Sequence, residues 1–379
     1  MPFHVLITGG AGFIGAHLTR KLLSKDYIVS VIDNLSPQVH GDQPALTSHS
    51  FRDFPPEVEF VQQDIRSSPR LQELVDQSDA IVHLAAETGT GQSMYEADKY
   101  ASVNVEGTRR LLEAVARKKG SLKSFILTSS RAVYGEGKYR CKTHGDIYPK
   151  TRDPSQLKLG QFEPLCPNCD QSLTAKSTDE DAPLNPLSVY ASTKEDQEIL
   201  LRNASISYGL NATILRLQNV YGPGQSLSNP YTGILAIFSN RIRQGVSINI
   251  FEDGEESRDF IHVDDVSNSI CQILDHPTKG LEIYNLGTGV QTSVIELVQL
   301  LMEKFGQTVQ IDISKQFRDG DIRHNFSNSK KFESTFGTRP VTNFSEGLSN
   351  YVDWVVRQEL FEDHYEESLH ELTERGLLK

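Results

Sequence analysis

The chain has 379 residues, 37% hydrophobic and 23% charged, enough apolar material for a large core and too much for sustained disorder. Fifty acidic against 38 basic side chains leave a formal charge of −12, a field that repels phosphate backbones and anionic lipid. Nucleic acid and membranes are therefore poor partners, no apolar run approaches the roughly 18 residues of a membrane span, and the N-terminus lacks the basic region of a signal peptide. A cytoplasmic location is expected.

In chain order, residues 5–7 read as a strand, 13–23 as a helix and 28–32 as a second strand. Strands follow at 58–61 and 80–84, then a helix over 105–116 and a strand at 125–127. Nearly continuous apolar strands separated by helices predict a parallel sheet covered on both faces, the doubly wound α/β (Rossmann) arrangement. The pattern breaks at Gly135: residues 136–178 are polar and rich in turn formers. Alternation resumes with a helix over 189–208 and a strand at 212–217. A helix near 234–243 and a strand at 248–251 then belong to a smaller, mixed α/β lobe. The expected division is 1–217 for the dinucleotide-binding domain, carrying 136–178 as an insertion, and 218–379 for a substrate lobe, with 263–285 returning to the first domain. The acidic stretch 359–374 reads as a solvated helix or tail, and Cys271 as a core residue of a helix.

Between the first strand and the first helix stand Gly9, Gly12 and Gly15. Glycines there permit a tight turn and let backbone N–H groups approach a pyrophosphate. The spacing, G-x-x-G-x-x-G, also suits an ordinary glycine turn; its position between strand and helix favours the cofactor. Asp33, at the end of the second strand, can bond a ribose 2′-OH and repel a 2′-phosphate, which favours NAD over NADP. Alternatively it opens the turn Asp33-Asn34-Leu35-Ser36. Asp64 can reach an adenine or cap a helix.

Tyr190 and Lys194 stand four apart, on one helix face. A phenol with an ordinary pKa of about 10 is a weak base at neutral pH. A neighbouring ammonium and a positive nicotinamide ring favour the phenolate, so Tyr190 can take a hydroxyl proton as hydride leaves the carbinol carbon.

With Thr128-Ser129-Ser130-Arg131-Ala132-Val133-Tyr134-Gly135, the chain resembles the extended short-chain dehydrogenase/reductase superfamily, specifically its nucleotide-sugar epimerases and dehydratases. His83-Leu84-Ala85-Ala86, Asn104-Val105-Glu106-Gly107-Thr108, Arg216-Leu217-Gln218-Asn219, Arg258-Asp259-Phe260-Ile261-His262, Asn285-Leu286-Gly287 and Arg318-Asp319-Gly320-Asp321 extend the likeness over nearly the whole chain. The resemblance implies that Ser130 bonds the reacting sugar hydroxyl, Tyr190 is the base and acid, and Lys194 holds the nicotinamide ribose. It implies tightly bound NAD, with Phe13, Ile14, Asn34, Ile65, Leu84, Ala85, Ala86, Asn104 and Ser129 adding to its contacts. Asn219, Arg258, Arg318 and Asp321 would hold a nucleotide-diphosphate sugar; the two arginines could instead form structural pairs with Asp259 or Asp321. A homodimer built on the helices bearing 106–116 and 190–201 is implied as well.

Dehydratases of this kind resemble Thr-Asp-Glu before Val-Tyr-Gly, whereas here Ser130, Arg131 and Ala132 occupy those places. Without the acidic pair, oxidation of an alcohol to a ketone and its re-reduction remain, which is net epimerisation at C4 with NAD regenerated. A narrower resemblance, carried by Gly91-Gln92-Ser93-Met94-Tyr95-Glu96, by residues 34–41, by residues 227–233 and by the Cys/His insertion, is to the dTDP-L-rhamnose 4-epimerase subgroup. It implies exchange of dTDP-L-rhamnose and dTDP-6-deoxy-L-talose. UDP-glucuronate or UDP-glucose epimerisation, a dehydratase or net dehydrogenase, and a non-catalytic NAD-binding interaction protein are the alternatives.

In the insertion, Cys141 and His144 form C-x2-H, and Cys166 and Cys169 form C-x2-C. Three thiolates and an imidazole suit tetrahedral structural Zn2+; an unmetallated loop or redox thiols are the other readings. The insertion lies in sequence between Ser130 and Tyr190 and is expected to flank and cap the sugar pocket.

Overall fold

Seven apolar strands form one wholly parallel sheet in the computed structural model, which describes residues 3–227, 229, 231, 233–318, 320–360 and 365–379. They are β1 (His4–Thr8), β2 (Ile28–Asp33), β3 (Glu59–Gln62), β4 (Ala80–His83), β5 (Ser124–Ser130), β6 (Ala212–Leu217) and β7 (Leu281–Leu286). Their order is β7-β6-β5-β4-β1-β2-β3. Strand order reverses between β1 and β4, the switch point outside whose carboxyl ends folds of this kind bind ligands. The residues Ser228, Pro230, Thr232 and Asp319, singled out above within motifs, lie outside the described residues, as does 361–364 of the acidic stretch.

The period-two alternation of a strand divides each apolar run between two cores. Val5 and Ile7 of β1 face Leu18 and Leu22 of α1 (Phe13–Leu23) and Ile270, Ile273 and Leu274 of helix Val263–Asp275. Leu6 faces the other way, with Leu111 and Val115 of α2 (Gly107–Arg117) and Leu201 of α3 (Val189–Tyr208). Cys271 is buried in the first of these cores. After Asn219 the chain builds a lobe around Leu235, Phe238, Leu297, Leu301, Leu348 and Tyr351. It also returns to the sheet, since Val263–Asp275 packs on α1 and β7 pairs with β6. No helix among the described residues is long and apolar enough to cross a membrane.

Two expectations need correction. The α-helix expected from 105 starts at Gly107, after a wide π-helical turn over Ala101–Glu106. The acidic stretch is not wholly solvated: α4 (Tyr365–Glu374) buries Tyr365, Leu369 and Leu372 while Glu366, Glu367 and Glu374 stay in solvent. Those three apolar residues fall at i, i+4 and i+7, one helix face, so a charged face conceals an anchoring one.

Candidate active site

One cavity of about 610 Å3 runs from the carboxyl ends of β1, β2 and β4, past β5 and α3, into the substrate lobe. At its first end Gly9 has φ +71°, and a Cβ there would lie 2.6 Å from the backbone nitrogen of Ala85. A Cβ on Gly15 would meet the carbonyl of Gly9 at 2.4 Å, so these two glycines let α1 and β4 close on the turn. Gly12 differs: a Cβ there would meet only the Gly9 carbonyl, at 3.3 Å. No side chain caps α1, and Gly12, Phe13, Ile14 and Gly15 line the cavity, so the helix N-terminus offers its N–H groups to an anion.

Asp33 is buried beside this turn, its two carboxylate oxygens accepting from Ala11 N at 3.0 Å and Leu35 N at 2.9 Å. Burial pushes its pKa up, opposed chiefly by His40. Asn34, Asp64, Ile65, Leu84, Ala85 and Ala86 line the same cavity. Asp64 is held by Arg66, whose Nη2 and Nε lie at 2.6 and 2.8 Å, and this pairing draws its pKa below the usual range. Asn104 does not line the cavity, contrary to expectation. Its amide is fully engaged, accepting from Glu87 N at 2.8 Å and donating to Glu87 O and Thr193 Oγ1, so it fixes the loop after β4 to α3.

Deeper in, Ser129 and Ser130 come from the end of β5, and Tyr190 and Lys194 from the first turns of α3. Ser188 caps that helix, its Oγ accepting from Ala191 N at 3.1 Å, which fixes where the first turn points. Burial pushes the Tyr190 phenol up, and the hydrogen-bonded Ser130 and nearby Arg131 pull it back. Burial also pushes Lys194 down, to about 8, against the attraction of Glu198, and its Nζ donates to Gln197 Oε1 at 2.7 Å.

At the far end Asn219, Arg258, Arg318 and Asp321 line the cavity. Arg318 pairs with Asp321 at 2.8 Å, the structural pairing weighed above. Arg258 does not pair with Asp259, which accepts instead from Thr288, Gly289 and Ser327. Its guanidinium donates to the carbonyls of Ser257, Ile322 and Arg323, bonds that orient it without neutralising it. Arg131 donates to Asn219 Oδ1 at 3.3 Å, and burial together with Arg258 pushes its pKa down to about 9.

Residues 5–155 and 165–287 match the family described as the NAD dependent epimerase/dehydratase family. The chain belongs to that family. It is 36% identical to a dTDP-L-rhamnose 4-epimerase of Burkholderia thailandensis, over 93% of this chain and 95% of that one. The fold superposes on UDP-glucose 4-epimerase of Thermotoga maritima, crystallised with UDP-glucose, with a TM-score of 0.76 and 28% identity over 94% of this chain and 99% of that one. UDP-glucose 4-epimerase of Thermus thermophilus in complex with NAD gives 0.72 and 26%, covering 94% and 100%.

The cavity rests on buried polar residues to which the sequence alone assigns no role. Glu198 accepts from Ser129 at 2.5 Å and from Arg216 at 2.7 and 3.0 Å, and Arg216 reaches the hydroxyl of Tyr134 at 2.7 Å. His83 lies between Thr8 Oγ1 at 2.6 Å and Thr108 Oγ1 at 2.8 Å, and burial, then Lys194, pushes its pKa down to about 3. Because the unfolded chain takes up that proton first, the native state should lose stability as pH falls from about 6.5 towards 3, at up to about 1.4 kcal/mol per pH unit. Urea unfolding across that range should show the loss, with a shallower slope in His83→Gln.

Proposed function

We propose that the chain is an NAD-dependent 4-epimerase of a nucleotide-diphosphate sugar, with dTDP-L-rhamnose and dTDP-6-deoxy-L-talose as the interconverted pair. The observation that carries this reading is one cavity shared by the glycine turn, Asp33, the Ser130–Tyr190–Lys194 group and Arg258, with Arg131 and Ala132 where a dehydratase would need two acids. The uncapped α1 N-terminus and the Asp33 carboxylate fit the pyrophosphate and ribose of a dinucleotide. NAD, when bound, supplies a hydride acceptor and donor.

Tyr190 takes the proton of the C4 hydroxyl at its phenolic oxygen and later returns it. Ser130 holds the reacting oxygen, Ser130 and Arg131 favour the phenolate form of Tyr190 that accepts this proton, and the buried Lys194 would carry its charge towards the cofactor's ribose. Arg258 and the α1 N-terminus act at opposite ends of the cavity, so the sugar lies between the two anion-binding regions. The 4-keto sugar, held by its diphosphate, presents its other face before re-reduction, and the stereocentre is inverted. The 36% identity to a dTDP-L-rhamnose 4-epimerase supports the choice of sugar. Exposed Ile199 and Ile206, one helical face of α3, support a homodimer through that helix.

NMR of dTDP-L-rhamnose, UDP-glucose and UDP-glucuronate, each incubated with the protein, tests the assignment. Inversion at C4 should be fastest with dTDP-L-rhamnose. Faster turnover of either UDP sugar would overturn the choice of substrate, and loss of water or CO2 would overturn the reaction class.

A further inference from the structure

Residues 136–178 line no part of the cavity, so the insertion does not cap the sugar pocket as its place in the sequence suggested. Part of it forms a small three-stranded sheet, with Tyr139–Cys141 between Gly145–Ile147 and Thr174–Ala175. The buried apolar side chains of the insertion form two small clusters, Tyr139, Cys141, Cys166 and Leu173 in the sheet unit and Leu157 and Phe162 against Phe317, little core for so long a polar excursion.

The four metal-ligand candidates meet at one point, all ligand atoms within 4.8 Å of one another. Cys141 Sγ lies 3.6 Å from His144 Nδ1 and 3.7 Å from Cys169 Sγ, and Cys166 Sγ lies 3.5 Å from the same imidazole nitrogen. A disulfide would need about 2.0 Å between sulfurs. Around a tetrahedral ion, bonds of about 2.3 Å to sulfur and 2.0–2.1 Å to nitrogen put S···S edges near ~3.8 Å and S···N edges near ~3.6 Å. The cluster has that spacing. The Cys166–Cys169 turn is tightened by Cys169 N and Asp170 N on the Cys166 carbonyl, with Asp170 at φ +56°, which turns both thiols to one side. Three thiolates and an imidazole complete a tetrahedral shell, the arrangement of a structural ion.

What the pinned insertion touches is the segment 321–324, whose Asp321 and Ile322 line the far end of the cavity. The hydroxyl of Tyr139, two residues before Cys141, donates to Glu136 Oε2 at 3.0 Å and accepts from His324 N at 3.1 Å. Glu136 Oε2 accepts from Arg323 N at 2.9 Å. Arg152 donates to Asp321 O at 3.0 Å and pairs with Glu252 at 2.8 Å, and Glu163 holds Arg323 Nε at 2.7 Å. The carbonyls of Ile322 and Arg323, in this braced segment, orient the Arg258 guanidinium at 2.9 and 3.0 Å.

We propose that Cys141, His144, Cys166 and Cys169 bind one Zn2+ per chain, and that the insertion so pinned is a brace setting Arg258 at the substrate end of the cavity. The metal site stands alone; the brace rests on reading Arg258 as a diphosphate-holding residue. Tyr139 is a positioning residue in this scheme, acting through residues 323–324.

Elemental analysis of the full chain, purified without chelator, should give one zinc per chain, lost in Cys166→Ser. Cobalt substituted for zinc should show thiolate charge-transfer and tetrahedral d–d bands. Zinc well below stoichiometry after reconstitution, or octahedral cobalt spectra, overturns the metal site. Tyr139→Phe keeps all four ligands; it should retain zinc and NAD while weakening dTDP binding about fivefold, the effect of losing one buried hydrogen-bond bridge. Removing zinc reversibly should weaken dTDP binding at least as much, with recovery on re-addition. Unchanged dTDP affinity in both cases, or loss of NAD alongside dTDP, overturns the brace. Failure of the wild-type chain to bind dTDP or UDP overturns the brace together with the nucleotide-sugar reading, whereas zinc content reports on the metal site by itself.

Discussion

Tyr190→Phe should lower turnover by on the order of 10³-fold, the usual scale for removing a positioned general acid–base, while NAD stays bound. The substitution keeps the ring, which packs edge-on against Tyr100 with centroids 6.5 Å apart, so the fold and the cofactor end of the cavity are left in place. It removes the one oxygen that both Ser130 and Arg131 act upon. Initial rates, with NAD content measured on the same preparation, check this. A Phe variant within tenfold of wild type would place the proton transfer elsewhere.

Arg216→Met should cost about 3–5 kcal/mol of stability, because it strands the Glu198 carboxylate in the interior. Arg216 and Glu198 are 2% and 0% exposed, and their paired oxygens and nitrogens lie 2.7 and 3.0 Å apart. Glu198 stands one turn beyond Lys194 on α3 and accepts from Ser129, so the pair also fixes the floor of the catalytic group. The double variant Arg216→Met/Glu198→Leu removes both charges and should recover much of the loss, since two apolar groups leave no buried charge unpaired. Urea unfolding of wild type, single and double variants measures it. A single variant within 1 kcal/mol of wild type would contradict the account.

The seven-stranded sheet was legible because its strands are apolar runs bounded by turn formers. The reading at 28–32 ends one residue before Asp33, and that at 212–217 coincides with β6. That Ser130, Tyr190 and Lys194, the proposed catalytic group, share one cavity with the glycine turn was legible for a related reason: all are local signals at strand ends or on one helix turn. What escaped was non-local. Asn104 looks like a cofactor ligand by its motif, but Glu87 and Thr193 occupy its amide. Arg216 and Glu198 stand apart in sequence with no pattern linking them, and only the packing of α3 on β5 and β6 brings them together. The insertion leaves the chain beside Ser130 yet packs on residues 321–324, because Tyr139, Arg152 and Glu163 find their partners there. In α4 four glutamates masked a three-residue apolar stripe that lines the cavity.

Internal hydride return at C4 is tested most directly by dTDP-L-rhamnose deuterated at that carbon, incubated in ordinary water with the protein as purified and no added NAD. Product inverted at C4 with the deuterium retained, and no NADH accumulating, is the predicted result. Exchange of the label with solvent, or turnover that stops without added NAD, would contradict it.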